Sequence, residues 1–334
     1  MSLNAAFLDY GSLDMNDLDF SPLQACFNDL QLYSASTPDQ VIPRLKDVQV
    51  AITNKVVINA EALTQLPKLK LIAQTGRVGK HIDLAACTER GIAVAEGVGS
   101  PVAPAELTWA LIMAAARRLP QYIGNLKHGA WQQSGLKAAS MPPNFGLGTV
   151  LRGKTLGIWG YGRIGQLVAG YGRAFGMQVM VWGSAESRAK ATQDGHLAAE
   201  SREAFFAHSD VLSLHLRLSE STEHIVRAED LARMKPTSLF VNTSRAELVD
   251  TSALTHALNK GRPGLAAVDV FESEPILQGT ALLRLENCIC TPHIGYVEKE
   301  SYEMYFGAAF DNVVNFIRGT PTNIVNPGAL QVRR

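Results

Sequence analysis

The chain has 334 residues, 46% of them hydrophobic, with 31 basic and 31 acidic side chains and no net charge. That length suits two domains with sizeable cores, and balanced charge gives no electrostatic ground for nucleic acid or an anionic membrane as partner. The acidic start (Asp9, Asp14, Asp17, Asp19) is unlike a signal peptide, and the longest apolar stretch, Trp109 to Ala116, is far too short to span a bilayer.

The first elements alternate. Strands are expected at Asn4–Leu8, Val48–Thr53, Leu69–Gln74 and Gly91–Ala95, with helices at Ala60–Leu66 and Leu84–Arg90. Such alternation implies βαβ units and a parallel sheet. A long helix follows, about Pro104 to Leu119; Pro104 suits its first turn, and Arg117 and Arg118 its last. Ser134 to Gly148 reads as a loop.

A second series begins at Thr155–Trp159, directly before Gly160-Tyr161-Gly162-Arg163-Ile164-Gly165 and a helix over Ile164–Phe175. G-x-G-x-x-G between strand and helix is the context of a dinucleotide fold. Gly160 permits the turn, Gly162 lets backbone approach a pyrophosphate, and Gly165 lets helix pack on strand. Further strands are expected at Gln178–Trp182, Val211–Leu216, Ser238–Asn242, Leu265–Val270 and Cys288–Cys290, then a closing helix over Tyr302–Arg318. The fold class is therefore α/β: a Rossmann-type doubly wound domain over residues 103–295, plus a smaller flavodoxin-like α/β substrate domain, discontinuous over 1–102 and 296–334.

Three loops after strands carry polar groups at the ends where open α/β sheets bind ligands. They hold Arg245, Glu274 and His293. Arg245 offers a fork for a carboxylate or polarised carbonyl. His293 suits proton transfer near neutral pH, with Glu274 holding its ring. Beside a nicotinamide, this set suggests hydride transfer on a 2-hydroxy acid. The other cofactor candidates, beyond Gly160, Gly162, Arg163, Ile164 and Gly165, are Ser184, Arg188, His215, Thr243 and Asp269. Cys26, Cys87, Cys288 and Cys290 fit no disulfide framework, which points to a reduced cytoplasm. Cys288-Ile289-Cys290 near His293 reads as a buried strand, and no metal is expected.

On Gly160 to Gly165, Asn242-Thr243-Ser244-Arg245 with Leu248-Val249-Asp250, Asp269-Val270-Phe271 with Glu274-Pro275, and Thr291-Pro292-His293-Ile294-Gly295, the chain resembles the D-isomer-specific 2-hydroxyacid dehydrogenases. The resemblance covers nearly the whole length. It implies that Arg245 binds and polarises substrate, that Glu274 partners His293 as acid/base, and that Asp269 lies near the nicotinamide. It also implies a homodimer, with the long helix from Pro104 at its face.

The chain departs from that pattern in places. Val78 stands where a glycine is common in the loop Thr75–His81; backbone N–H groups of Arg77, Val78 and Gly79 are the candidates for a substrate carboxylate, and Arg77 and Lys80 add positive charge. No acidic residue opens the stretch Gly183-Ser184-Ala185-Glu186-Ser187-Arg188, where NAD enzymes hold the ribose hydroxyls. Ser184 and Arg188 could accept a 2′-phosphate instead, so NAD or NADP stays open, leaning towards a site that admits NADP. Tyr296 follows Gly295 where a small residue is usual and could narrow the site. Two other readings remain: an NAD(H)-sensing, corepressor-like binding protein, and a dehydrogenase of a phosphorylated hydroxy acid.

Overall fold

Residues 3–12, 19–136, 142–277 and 279–332 are described by the computed structural model of the chain. Asp14, Asp17 and residues 137–141 of the expected loop lie outside them. The chain divides into two compact units, Met1–Ser100 with Val297–Arg334, and Pro101–Tyr296.

The first unit holds five parallel strands: β1 (Asn4–Phe7), β2 (Asp29–Leu32), β3 (Val50–Thr53), β4 (Leu71–Gln74) and β5 (Ala93–Ala95). Their order is β2-β1-β3-β4-β5, the flavodoxin-like arrangement. Every residue of β3 and β4 is buried, as in a sheet covered on both faces, which is why they read as continuous apolar runs. β2 is absent from the sequence reading. Its Asp-Leu-Gln-Leu alternates exposed with half-buried and pairs on one side only, so it has no apolar run to betray it. The closing helix spans Lys299–Ile317 and belongs to this unit, with Phe306 5.7 Å from Phe7 and Phe310 6.1 Å from Phe20, ring to ring. Asn326 then accepts from the Val94 N–H at 2.7 Å and donates to the Ile92 carbonyl.

The second unit holds β6 (Thr155–Trp159), β7 (Gln178–Trp182), β8 (Leu197–Ala198), β9 (Val211–Leu214), β10 (Leu239–Asn242), β11 (Leu265–Val268) and β12 (Cys288–Cys290). All pairs are parallel, in the order β12-β11-β10-β9-β6-β7-β8 of a doubly wound dinucleotide fold. Six of these strands are the expected ones; the seventh, β8, is a two-residue exposed edge.

The long helix ends sooner than its pattern implies. It spans Val102–Ala116, and a second helix occupies Leu119–Lys127. Arg118 between them has φ 55° and is 4% exposed. Its guanidinium donates to the Phe145 carbonyl at 2.9 and 3.2 Å and to the Ala115 carbonyl at 3.0 Å. Arg118 thus plugs the break rather than decorating an exposed helix end.

Candidate active site

In the second unit the strand order reverses between β6 and β9, so the loops after these strands flank the crevice. Gly160 has φ +99°, and a Cβ there would lie 2.5 Å from the His215 carbonyl oxygen. A Cβ on Gly165 would run into the Gly160 carbonyl. Gly162 differs, since a Cβ there would meet nothing within 4 Å. Two glycines are therefore required by the fold, while the third leaves open space beside bare backbone. The helix Arg163–Ala174 starts there with no side-chain cap, leaving N–H groups for an anion. Arg163 is exposed, and Ile164 packs on the core. These residues fit a bound dinucleotide.

At the end of β7, Ser184 accepts from the Ser187 N–H at 3.2 Å and caps the helix Ala185–Gln193. Arg188 stacks on the Trp182 ring with its guanidinium carbon 4.8 Å from the centroid, and its buried Nε has no hydrogen-bond partner. Glu186 is exposed. After β9, His215 donates its N–H to the Trp159 carbonyl at 2.8 Å, and its Nε2 lies 3.0 Å from the Ser213 hydroxyl. Burial pulls its pKa down to about 4, so the ring is neutral at neutral pH.

The loops after β10, β11 and β12 follow three adjacent strands. Asn242 holds the first: its Nδ2 donates to the Arg245 carbonyl at 2.8 Å and its Oδ1 accepts from the Ser244 N–H at 3.1 Å. The exposed Arg245 donates Nη1 to the Ser244 carbonyl at 2.6 Å. Thr243 Oγ1 lies 2.7 Å from Oγ1 of Thr108, a buried hydroxyl on the long helix that no sequence motif marks.

Glu274 and His293 are joined directly, Oε2 to Nδ1 at 2.5 Å. Glu274 Oε1 also accepts from the Phe271 N–H at 2.9 Å, which fixes the carboxylate. Nδ1 is thereby engaged, leaving Nε2 as the ring nitrogen available for proton exchange. His293 sits at φ +54°, a left-handed conformation costly for a non-glycine residue. Asp269 holds it there. This 1%-exposed carboxylate accepts from Thr291 Oγ1 at 2.6 Å and from the Ile294 and Gly295 N–H groups at 2.9 Å each. Residue spacing alone did not show this bracing. The Tyr296 ring stands edge-on to His293 with centroids 5.6 Å apart.

In the first unit, the loop after β4 rests on Gly97, whose Cβ would run into the Thr75 carbonyl. Gly97 is a further residue that sequence reading missed. Arg77 Nη1 lies 3.1 Å from Glu96 Oε1, and the Val78 N–H reaches Glu96 Oε2 at 3.4 Å. Gly79 and Lys80 are exposed. Beneath the loop, Gln74 donates to the Asn54 carbonyl and lies 3.2 Å from His81 Nε2. Burial holds the His81 pKa below its ordinary value. Among the described residues, no cluster of three or more His, Cys, Asp or Glu could hold a metal, and no helix is long and apolar enough to cross a membrane.

Residues 109–295 match the family model "D-isomer specific 2-hydroxyacid dehydrogenase, NAD binding domain". A glyoxylate reductase from Aeropyrum pernix is 38% identical over 282 residues, 83% of this chain and 82% of the relative. Among solved structures, one assigned as a D-3-phosphoglycerate dehydrogenase oxidoreductase from Ralstonia solanacearum is similar, with a TM-score of 0.90 and 58% identity across 98% of both chains. The D-lactate dehydrogenase of Aquifex aeolicus, complexed with NAD and lactic acid, gives a TM-score of 0.79 at 30% identity over 97% of this chain and 99% of that one.

Proposed function

The chain belongs to the D-isomer-specific 2-hydroxyacid dehydrogenase family, and from that premise we propose how its residues divide the work. It is an oxidoreductase acting between a nicotinamide cofactor and a pair of small 2-keto and D-2-hydroxy acids. The cofactor, when bound, supplies or accepts the hydride exchanged with substrate C2. Gly160, Gly162 and Gly165 with the first turn at Arg163 and Ile164 hold the pyrophosphate. His215 and Thr243 border the cofactor as uncharged groups.

In the direction of reduction, His293 Nε2 delivers a proton to the keto oxygen. Glu274 keeps the ring oriented through Nδ1 and balances the positive charge while the ring is protonated. Arg245 binds and polarises the keto acid. Asp269 acts through the loop: it braces the backbone on which His293 is held. The loop at Arg77, Val78 and Gly79 takes the substrate carboxylate. Because Arg77 already faces Glu96 at 3.1 Å, a plain keto acid is favoured over a phosphorylated one. The observation that carries the reading is the 2.5 Å bond between Glu274 and His293, within a sheet whose glycine loop leaves room at Gly162.

The ribose end supports admission of NADP. Arg188 lies in the helix Ala185–Gln193 that follows β7, with an unpartnered Nε, and no acidic side chain stands at Gly183 or Ser184. A homodimer is supported by apolar side chains left exposed on the second unit, with Ile123 53%, Trp131 73% and Val150 75% exposed. A cytoplasmic setting suits four free cysteines.

The test is turnover of the purified protein with NADH and NADPH against glyoxylate, hydroxypyruvate, pyruvate and 3-phosphohydroxypyruvate, followed by absorbance. Consumption of either cofactor with a plain keto acid is expected. Tight cofactor binding with no turnover across the panel would overturn the assignment.

A further inference from the structure

Cys288 and Cys290 have no part in the reaction proposed above. They lie two residues apart on β12, which among the described residues pairs only with β11, so their side chains leave the same face. Their sulfurs are 3.7 Å apart. Both are half-buried, against the cluster that contains Val268 and Leu282. The other two cysteines are differently placed. Cys26 Sγ donates to the Pro22 carbonyl, while Cys87 is fully buried, with its thiol pushed up to about 12. β12 leads within three residues to His293.

We propose that Cys288 and Cys290 form a dithiol modification site, which a peroxide closes to a disulfide and so displaces the loop that carries His293. The Cys290 sulfur attacks the peroxide, the O–O bond breaks, and a sulfenic acid forms with release of one water. The Cys288 sulfur then attacks Cys290, the S–O bond breaks, and the hydroxyl leaves as a second water with the Cys288 proton. Two electrons pass from the thiols to the peroxide. The thiol of Cys288, hydrogen-bonded to Cys290, holds the Cys290 pKa below its ordinary value and marks it as the attacking sulfur.

Closure moves the backbone. Residues two apart on a strand have Cα atoms about 6.6 Å apart, near the wide end of the ~4.4–6.8 Å range that disulfides span. The sulfurs must also come from 3.7 Å to a bond of about 2.05 Å. Drawing the two Cα atoms towards the commonest disulfide separation of about 5.5–6 Å shortens the strand between Cys288 and Cys290. The adjoining segment meets that pull at Thr291, Ile294 and Gly295, bonded to Asp269, and at His293, already at φ +54°.

The full-length protein is treated with hydrogen peroxide, alkylated and examined by mass spectrometry, with hydrogen–deuterium exchange across residues 291–295 and turnover measured in parallel. The peptide containing both cysteines should lose two hydrogens and resist alkylation, and exchange at 291–295 should rise. Turnover should fall by on the order of 10²-fold, the effect of a misplaced catalytic group. Dithiothreitol should restore all three readings. Cys288→Ser and Cys290→Ser should each keep basal turnover and lose the closure. Oxidation of either cysteine alone to sulfinic acid in the wild type, or a closed disulfide that leaves exchange unchanged, would overturn the proposal. The mass and exchange readings decide this even if no keto acid is turned over.

Discussion

The two sheets share a topological device and use it differently. Each reverses strand order beside its earliest strand, between β1 and β3 in the first unit and between β6 and β9 in the second. In the first unit that point is filled by the chain itself. Asp9, 6% exposed, accepts from the Asn54 and Lys55 N–H groups at 2.8 Å each. In the second unit the corresponding loop presents Gly162 with nothing within 4 Å of where a Cβ would be. A switch point offers a ligand site only where no carboxylate of the protein already satisfies the free N–H groups. One strand further on, the first unit leaves Arg77 and Gly79 exposed, while the Val78 N–H between them already reaches the Glu96 carboxylate at 3.4 Å.

The largest test of this division is His293→Ala. It should lower kcat by about 10³-fold, while the Kd for NADH, read by fluorescence quenching, stays within a few-fold. Undiminished turnover would remove proton transfer from the second unit's loops.

Acid should weaken the folded protein. His215 titrates at about 4 when folded against an ordinary 6.5. Below pH 6.5 the unfolded chain binds a proton that the folded chain refuses. Stability is therefore full above that value and drains away as pH falls towards 4, by about 3 kcal/mol. His81, also lowered, adds a loss of the same sign from the first unit. Urea midpoints between pH 7 and 4 measure the sum, and His215→Asn should flatten the fall. An unchanged slope in that variant would place the acid sensitivity elsewhere.

A pair of glycine substitutions sharpens the contrast. Gly97→Ala puts a methyl against the Thr75 carbonyl and should cost about 2–3 kcal/mol in urea unfolding. Gly162→Ala meets no protein atom, so Tm should hold while cofactor affinity drops about tenfold, near 1.4 kcal/mol. The reverse pattern would mean that Gly162 is structural. The smallest effect is expected from Arg188→Ala, which should lower NADPH affinity relative to NADH by a few-fold, within about 1 kcal/mol. Equal loss for both cofactors would assign Arg188 to packing on Trp182.

Much of this was legible in the sequence because buried parallel strands are written as apolar runs. β6, β7 and β12 have the bounds that their residues imply. The edges β2 and β8 were not, since exposed strands lack that signature. Glu274 and His293 stand out as ionisable residues after strands. Their support does not, because the Asp269 bonds reach across 22 to 26 residues and the Thr108–Thr243 contact across 135. Arg118 shows the same limit: its charge suits a helix end, but its buried guanidinium is held by the distant Phe145 carbonyl.

The first unit is built from the two ends of the chain. On a ribosome its opening hundred residues emerge early, yet Phe7, which meets Tyr10 and Phe20 at once, still lacks Phe306, and the amide of Val94 waits for Asn326. The second unit has all its strands before the last segment is made. Residues 6–94 already build one core cluster, so synthesis leaves open only the part of the sheet that takes the helix Lys299–Ile317, and chaperones should engage residues 1–100 until that helix is made.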